Sequence, residues 1–434
     1  MSDAKINLWG SQIGAVTWVA DREVGVFQYD PDFLRSGIQL APLMMPLTDT
    51  PYSFPGLARE TFRGLPGLLA DSLPDKFGNT LIDAWLAEQG RTPASFNPVE
   101  RLCYIGKRGM GGLEFEPAIF GPESSAREIE VDKLVELTNR VLNQRAGLEG
   151  GFSGYDDREV IENILRVGTS AGGARAKAVL AWNPITQSFR SGQLDLAPGY
   201  EHWIMKFDGV SKNRDKELAD PLGFGRIEYA YFLMARAAGI EMTECRLHHE
   251  GGRSHFMTRR FDRTLTGQKL HMQSLGALAH FDFNQPATSA YEQVLQMMKR
   301  LGLSQQALDQ QVLRALFNVV ARNQDDHVKN IAFLMDRSGE WRLSPAFDVT
   351  YAYDPMGAWT SQHQMSINGK RDQFTLGDLM ALAGIGGIKK RRAAELLTQV
   401  IETVKGWPEF AAQAGVSEEQ TRQIQAVHRL TFPE

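Results

Sequence analysis

The apolar residues of this chain keep two different spacings, and any fold must accommodate both. In INLWGSQIGAVTWV (6–19) and EVGVFQYD (23–30) apolar and polar side chains alternate, broken by Gly10, Gly14 and the Asp21-Arg22 turn, which is a strand pattern. The stretch from SFPGLARETF to LPGLLADSLPDKFGNTLIDAWLAEQG reads as short helices punctuated by proline, the last carrying Leu81, Ile82, Trp85 and Leu86 and stopping at Gly90. RLCYIGKRGMGGLEFEPAIF then runs to the Gly121-Pro122 turn, and a charged helix, AREIEVDKL, follows. Strand-like AVLAW (178–182) and EHWIMKFDG (201–209) precede a helix, RIEYAYFLMARAAG, that ends at Gly239, and a hairpin turning at Gly251-Gly252. Beyond it the helical spacing takes over. SQQALDQQVLRALFNVVARN carries Leu308, Val312, Leu316 and Val320 on one face, a hairpin turns at Ser338-Gly339, and the remainder is helical. A strand-rich N-terminal part joined to a mainly helical C-terminal part defines an α+β class.

Composition narrows the function. With 43% hydrophobic residues over 434 positions the chain can build more than one core, and its −5 formal charge argues against a wholly basic nucleic-acid binder. Cys103 and Cys245 are too few for a disulfide framework or a thiolate metal site. No apolar stretch is long enough to span a bilayer, and Asp3, Lys5 and Asn7 stand where a signal peptide needs an apolar block, so a cytoplasmic location without membrane contact is expected. HExxH and GxSxG are both absent. The run Lys389-Lys390-Arg391-Arg392 opens a helix whose other face holds Leu396, Leu397, Val400, Ile401 and Val404, and it reads first as a solvated helix end.

The stretch richest in chemistry is Asn323-Gln324-Asp325-Asp326-His327-Val328-Lys329-Asn330, between an apolar-faced helix and a hairpin. Phosphoryl transfer needs one carboxylate to orient the attacking hydroxyl and take its proton, a nearby carboxamide on a metal ion, and a second acid on that metal. Asp348, in the otherwise apolar SPAFDVT, is that second acid. The same residues would serve as an Asx cap and a turn, and the acid placed behind them favours catalysis. Lys206 in HWIMKFDG either snorkels to solvent or faces an anion in a cleft. Glu228 is either its helical partner or an exposed first-turn acid. GTSAGGARAK (168–177) offers backbone N–H groups to phosphate oxygens or is a flexible loop.

In order along the chain, Ser170 with GGARAK, Lys206 in IMKFDG, RRFDR at 259–263, DDHVKN at 325–330 and FDVT at 347–350 resemble the HipA family of serine/threonine kinases, the toxins of bacterial toxin–antitoxin pairs. NLWGSQIGAVTW resembles that family's N-terminal strand module, and FRGLPGLLADSLPDKFGN with YIGKRGMGGLEFEP its linking segment. The resemblance implies a two-lobed protein-kinase-like fold: 1–125 as strand module and linking segment, 126–265 as the rest of the N-terminal lobe, and 266–434 as the helical lobe. It implies ATP and Mg²⁺ as cofactors. Asp325 would be the catalytic acid, and Asn330 and Asp348 the metal ligands. Gly172, Gly173, Ala174, Arg175, Ala176 and Lys177 would form the phosphate loop, with Lys206 on the phosphates. Arg259, Arg260 and Phe261 would be the adenine hinge. His327, Val328 and Lys329, and Phe347, Val349 and Thr350, would lie along the nucleotide. Ser170 would be an inhibitory autophosphorylation site, its new charge expelling the loop from the phosphates.

The chain departs from the family at Arg259, where an acid is common, and in HMQSLGALAHFDF, which lacks the family's Gln-Glu-Asp pattern. Implied partners are a small helix-turn-helix antitoxin of HipB type on a separate polypeptide, operator DNA reached mainly through it, and a protein substrate, with aminoacyl-tRNA synthetases in the class. A kinase for a sugar or antibiotic, and a catalytically silent co-repressor subunit, are the competing readings.

Overall fold

Alternation in the first strands becomes a sheet with one wet and one dry face. The computed structural model describes residues 2–119, 129–144, 168, 175–192, 196, 198–210 and 222–434. In it β1 (Asp3–Leu8), β2 (Ser11–Val19), β3 (Val24–Tyr29) and β4 (Leu113–Glu116) form an antiparallel sheet of order β3-β2-β1-β4. Ala4, Ile6 and Leu8 are buried while Asp3 and Lys5 face water. Trp9 and Gly10 close the first hairpin with φ of 53° and 85°, the two-residue turn whose twist suits a right-handed ribbon. Gly14 lies opposite Tyr29, where a Cβ would stand 2.4 Å from the Gln28 carbonyl, so only glycine permits that approach.

Internal contacts divide the chain into two interleaved units. One comprises Met1–Ile38, Leu47–Gly225 and Glu244–Met272, the other Gln39–Pro46, Arg226–Thr243 and Gln273–Glu434. Besides the N-terminal sheet, the first unit holds an antiparallel sheet of order β6-β5-β7-β9-β8, built from β5 (Lys177–Trp182), β6 (Phe189–Ser191), β7 (Glu201–Lys206), β8 (Cys245–Glu250) and β9 (Arg253–Arg259). Numbering only helices of eight or more residues, α1 (Lys76–Glu88), α2 (Pro98–Ile105) and α3 (Val131–Gln144) belong here. Leu81, Ile82 and Leu86 of α1 and Leu134 and Val135 of α3 share a core with Ala178, Leu180, Trp203 and Met205 of the sheet. Asn97 starts α2 by a reciprocal cap with Glu100, and Pro98 follows at the first helical position. The β8–β9 hairpin turns at Gly251-Gly252, both at positive φ, as expected.

The second unit packs α4 (Phe224–Ala237, from Arg226 on), α5 (Tyr291–Arg300), α6 (Gln305–Val320), α7 (Leu376–Ile385), α8 (Lys390–Lys405), α9 (Trp407–Ala414) and α10 (Glu418–Gln425) about one core. The chain passes into it along β10 (His271–Ser274), which forms a sheet with β11 (Ala332–Met335) and β12 (Trp341–Leu343) in the order β10-β11-β12. Leu308, Val312, Leu316 and Val320 are buried as their spacing predicts, but so are Leu313, Phe317 and Val319, because α6 is wrapped on more than one side. The second hairpin strand is shorter than the run EWRLSPAF suggests. Pro345 has no N–H for a ladder, and Ala346 instead donates to the Glu241 carbonyl at 2.8 Å. Lys389 to Arg392 are exposed, with Arg391 and Arg392 near Glu395 at 3.1 and 3.5 Å, which is the solvated helix end expected. The first boundary expected, after residue 125, lies outside the described residues.

Candidate active site

When α6 ends at Val320 the chain reverses through Arg322, at φ 60°. Asn323 Nδ2 donates back to Asn318 Oδ1 at 2.9 Å, and the Gln324 N–H and Ala352 N–H pair with the Ala352 and Arg322 carbonyls at 3.0 and 3.1 Å. The polar stretch that follows is therefore held at its start before one 3₁₀ turn, Val328–Asn330, leads into β11.

Its two adjacent carboxylates have opposite surroundings. The Asp326 side chain is fully buried. It accepts from the Tyr291 hydroxyl at 2.8 Å, from His363 Nδ1 at 2.7 Å and from the Gln364 N–H at 2.7 Å. Burial pushes its carboxyl up, but the electrostatic effect of the adjacent His363, with the hydrogen bonds of His363, Tyr291 and Gln364, more than reverses this and holds it below the usual range. Arg429 Nη1 lies 2.8 Å from His363 Nε2. A guanidinium can only donate, so in this contact Nε2 accepts and Nδ1 is the nitrogen that donates to Asp326. Arg429 is in turn paired with Asp372 and donates to Gln324 Oε1 at 3.2 Å.

Asp325, by contrast, leaves 43% of its side chain exposed. Its Oδ1 accepts from the Trp359 indole N–H at 2.7 Å, and its main-chain carbonyl accepts from Asn330 Nδ2 at 2.9 Å. His327 Nε2 lies 3.8 Å from the same Oδ1. Of the pair, Asp325 alone can meet a substrate.

Asp348 sits past the proline-shortened strand at φ 51°, a left-handed conformation that Asp tolerates better than most residues. His327, Asn330 and Asp348 line one small cavity of about 30 Å³. With Nδ2 spent on the Asp325 carbonyl, Asn330 has its carboxamide oxygen left as a ligand atom. An amide oxygen and a carboxylate form a hard donor set that fits Mg²⁺, which takes one or two protein carboxylates and completes its shell with phosphate and water. Among the described residues no cluster of three or more His, Cys, Asp or Glu is placed to hold a metal ion. Val328 and Val349 turn into the core, at 2% and 8% exposed, leaving only their backbone for a ligand. Phe347 and Thr350 are half-buried, and Lys329 Nζ lies 4.8 Å from the Phe283 ring centre. Glu228 is buried, which overturns the reading of an exposed first-turn acid: α4 is covered by the core along this turn, with Ile227 and Tyr231 also buried.

In the first unit Lys177 lies directly opposite Lys206 across β5 and β7. Opposed residues of an antiparallel pair share a face, so both lysines belong to the same face of this sheet. Lys177 is buried, and Lys206 Nζ lies 5.8 Å from the Phe256 ring centre. Arg175 stacks on Phe224 at 3.7 Å and Ala176 is buried. Ser170, Gly172, Gly173 and Ala174 lie outside the described residues. In the hinge stretch Arg259 lies loosely between Glu201 and Glu244, at 3.9 and 3.7 Å. Phe261 is half-buried.

The Arg260 side chain turns inward and grips Asp262 at 2.9 and 2.7 Å, while its backbone N–H donates to the His202 carbonyl at 2.9 Å. Asp262, fully buried, also accepts from Arg263 at 2.8 Å and from the Gly111 N–H at 2.7 Å. Burial opposes its charge, but Arg260 and Arg263 hold the carboxyl far below its usual range, while burial pushes Arg263 down to about 10. Sequence reasoning missed Asp262, Trp359, His363, Gln364 and Arg429. A signal existed in the polar run SQHQMSINGKRD, which interrupts an otherwise helical half of the chain.

These features define an α+β, protein-kinase-like fold with a carboxylate, a carboxamide and a second acid grouped beside one loop. Residues 4–116 match the HipA N-terminal domain and residues 169–407 the HipA-like C-terminal domain. The chain belongs to the HipA family, as its ordered motifs led one to expect. A solved HipA from Shewanella oneidensis MR-1, in a toxin–antitoxin complex with HipB and operator DNA, is 17% identical, with 98% of this chain and 94% of that one covered at a TM-score of 0.67. The proinflammatory kinase CtkA of Helicobacter pylori is 13% identical over 59% of this chain and 89% of that one, at a TM-score of 0.33 that bears on nothing further. No curated protein matches the chain.

Proposed function

We propose that the chain is an ATP- and Mg²⁺-dependent kinase for serine or threonine hydroxyls of a protein, acting as the growth-arresting toxin of a toxin–antitoxin pair. The observation that carries this is the division of labour at Asp325-Asp326, one acid open beside Asn330 and the other locked into the fold. Asp325 would orient the acceptor hydroxyl and take its proton. Asn330 and Asp348 would hold Mg²⁺, which when bound would neutralise charge building on the phosphates. As the family resemblance implies, Lys206 and the loop that ends at Lys177 would contact ATP phosphates, so that catalysis is positioning plus charge compensation. Ser170 would take phosphate in an inhibitory self-reaction, and adenine would meet the backbone of Arg259 to Phe261.

That the Shewanella protein was solved with HipB and operator DNA supports a small DNA-binding antitoxin as partner, with DNA reached through it. Among the described residues no helix is long and apolar enough to cross a membrane. Mass spectrometry after treatment with Mg·ATP tests the proposal. Wild type is expected to gain phosphate, at Ser170 if it modifies itself, and Asp325→Asn to gain none while still being stabilised against heat by Mg·ATP. Transfer by Asp325→Asn at the wild-type rate would remove Asp325 from the chemistry.

A further inference from the structure

Resting on Asp325 as the base, we infer that Trp359 is the positioning residue that decides which Asp325 oxygen does the chemistry. A half-exposed carboxylate on a short side chain can rotate, and proton abstraction needs one lone pair aimed at the acceptor hydroxyl. The Trp359 indole N–H, 2.7 Å from Oδ1, removes that freedom. An indole nitrogen only donates, so the bond occupies Oδ1 as an acceptor and leaves Oδ2 for the incoming hydroxyl.

Trp359 is itself held in place. Its carbonyl accepts from Gln364 Nε2, and the next carbonyl, of Thr360, accepts from Gln324 Nε2 at 3.0 Å. Gln364 also donates its N–H to Asp326. The segment from Trp359 to Gln364 is thus fastened to the same loop whose second acid it serves, and one clamp sets both carboxylates. Nothing in the packing demands an indole here: Trp359 is only partly buried, and its neighbour Ala358 is exposed. The N–H is what a phenyl ring could not supply.

Trp359→Phe keeps the ring and deletes the donor. In phosphate transfer by the full chain, kcat is expected to fall about 10- to 100-fold, the effect of losing one hydrogen bond to a charged group, with the KM for ATP and the thermal shift given by Mg·ATP unchanged. A kcat within twofold of wild type, or an increase, would overturn the inference; if Asp325→Asn is inactive at the same time, the base assignment survives and only the role of Trp359 is lost. A second readout needs no activity. In ¹⁵N-tryptophan spectra of the full chain, Asp325→Ala should shift one indole N–H resonance upfield, the one that disappears in Trp359→Phe. If that resonance stays where it is, the bond is absent and the inference fails.

Discussion

Asp326→Asn is nearly isosteric, yet the structure gives it no good way to be accommodated. Oδ2 of Asp326 receives two donors, the Tyr291 hydroxyl and His363 Nδ1, and Oδ1 receives the Gln364 N–H. An amide nitrogen placed at the Oδ2 position meets both donors. The Tyr291 hydroxyl can turn to accept, but His363 cannot, because its other nitrogen is already accepting from Arg429, which has no lone pair to offer in exchange. Flipping the amide only moves the donor-to-donor clash onto Gln364. A lost charge-assisted bond plus a buried mismatch costs about 3 kcal/mol. For a unit of 150–250 residues that corresponds to a melting temperature lower by about 6 to 12 °C. Thermal melts at pH 7.5 measure it, with Asp325→Asn as the control expected within about 2 °C of wild type because that side chain is half in water. If Asp326→Asn melts with wild type, or if Asp325→Asn is the less stable variant, the division into an anchoring and a reacting acid is wrong.

Two further outcomes rest on other buried groups. Burial pushes His202, His280 and His428 down to about 4 and His255 to about 3, so the folded chain stays unprotonated at these rings where the unfolded chain, titrating near ~6.5, takes up protons. The unfolded state therefore binds more protons below that value, and the melting temperature should drop steadily between about pH 6.5 and 4; a flat profile there would contradict the buried, neutral rings. Asp262→Ala leaves Arg260 and Arg263 buried without their shared counter-charge and should cost about 3–5 kcal/mol. Arg259→Ala, on the half-exposed neighbour, should change the melting temperature little, and equal losses in the two variants would show that the network is not what holds this stretch.

What the sequence disclosed was local. Gly251-Gly252 announces its hairpin because a two-residue turn demands positive φ, Gly10 shows as a break in the strand pattern, and Gly239 ends its helix at positive φ. The family was legible because its motifs recur in order. The difference between Asp325 and Asp326 was not, since two adjacent acids look alike until His363 and Gln364, far along the chain, claim one of them. The interleaving of the units was hidden too: Gln39 joins the second unit, where its carbonyl accepts from the Trp341 indole at 3.1 Å. That Glu228 is not an exposed acid was hidden because amphipathic spacing does not reveal when a helix is covered on several sides.

The contact from Arg429 to His363 also orders events in time. A ribosome makes the acids and the amide of the loop well before it reaches residue 429, and until then His363 Nε2 lacks its arginine donor. A stalled nascent chain cut short of that arginine would hold all the reacting groups with their anchor still slack. Under the proposed function, translation itself would then act as a safety catch, and such truncated chains should transfer phosphate far more slowly than the same chain carried past residue 429.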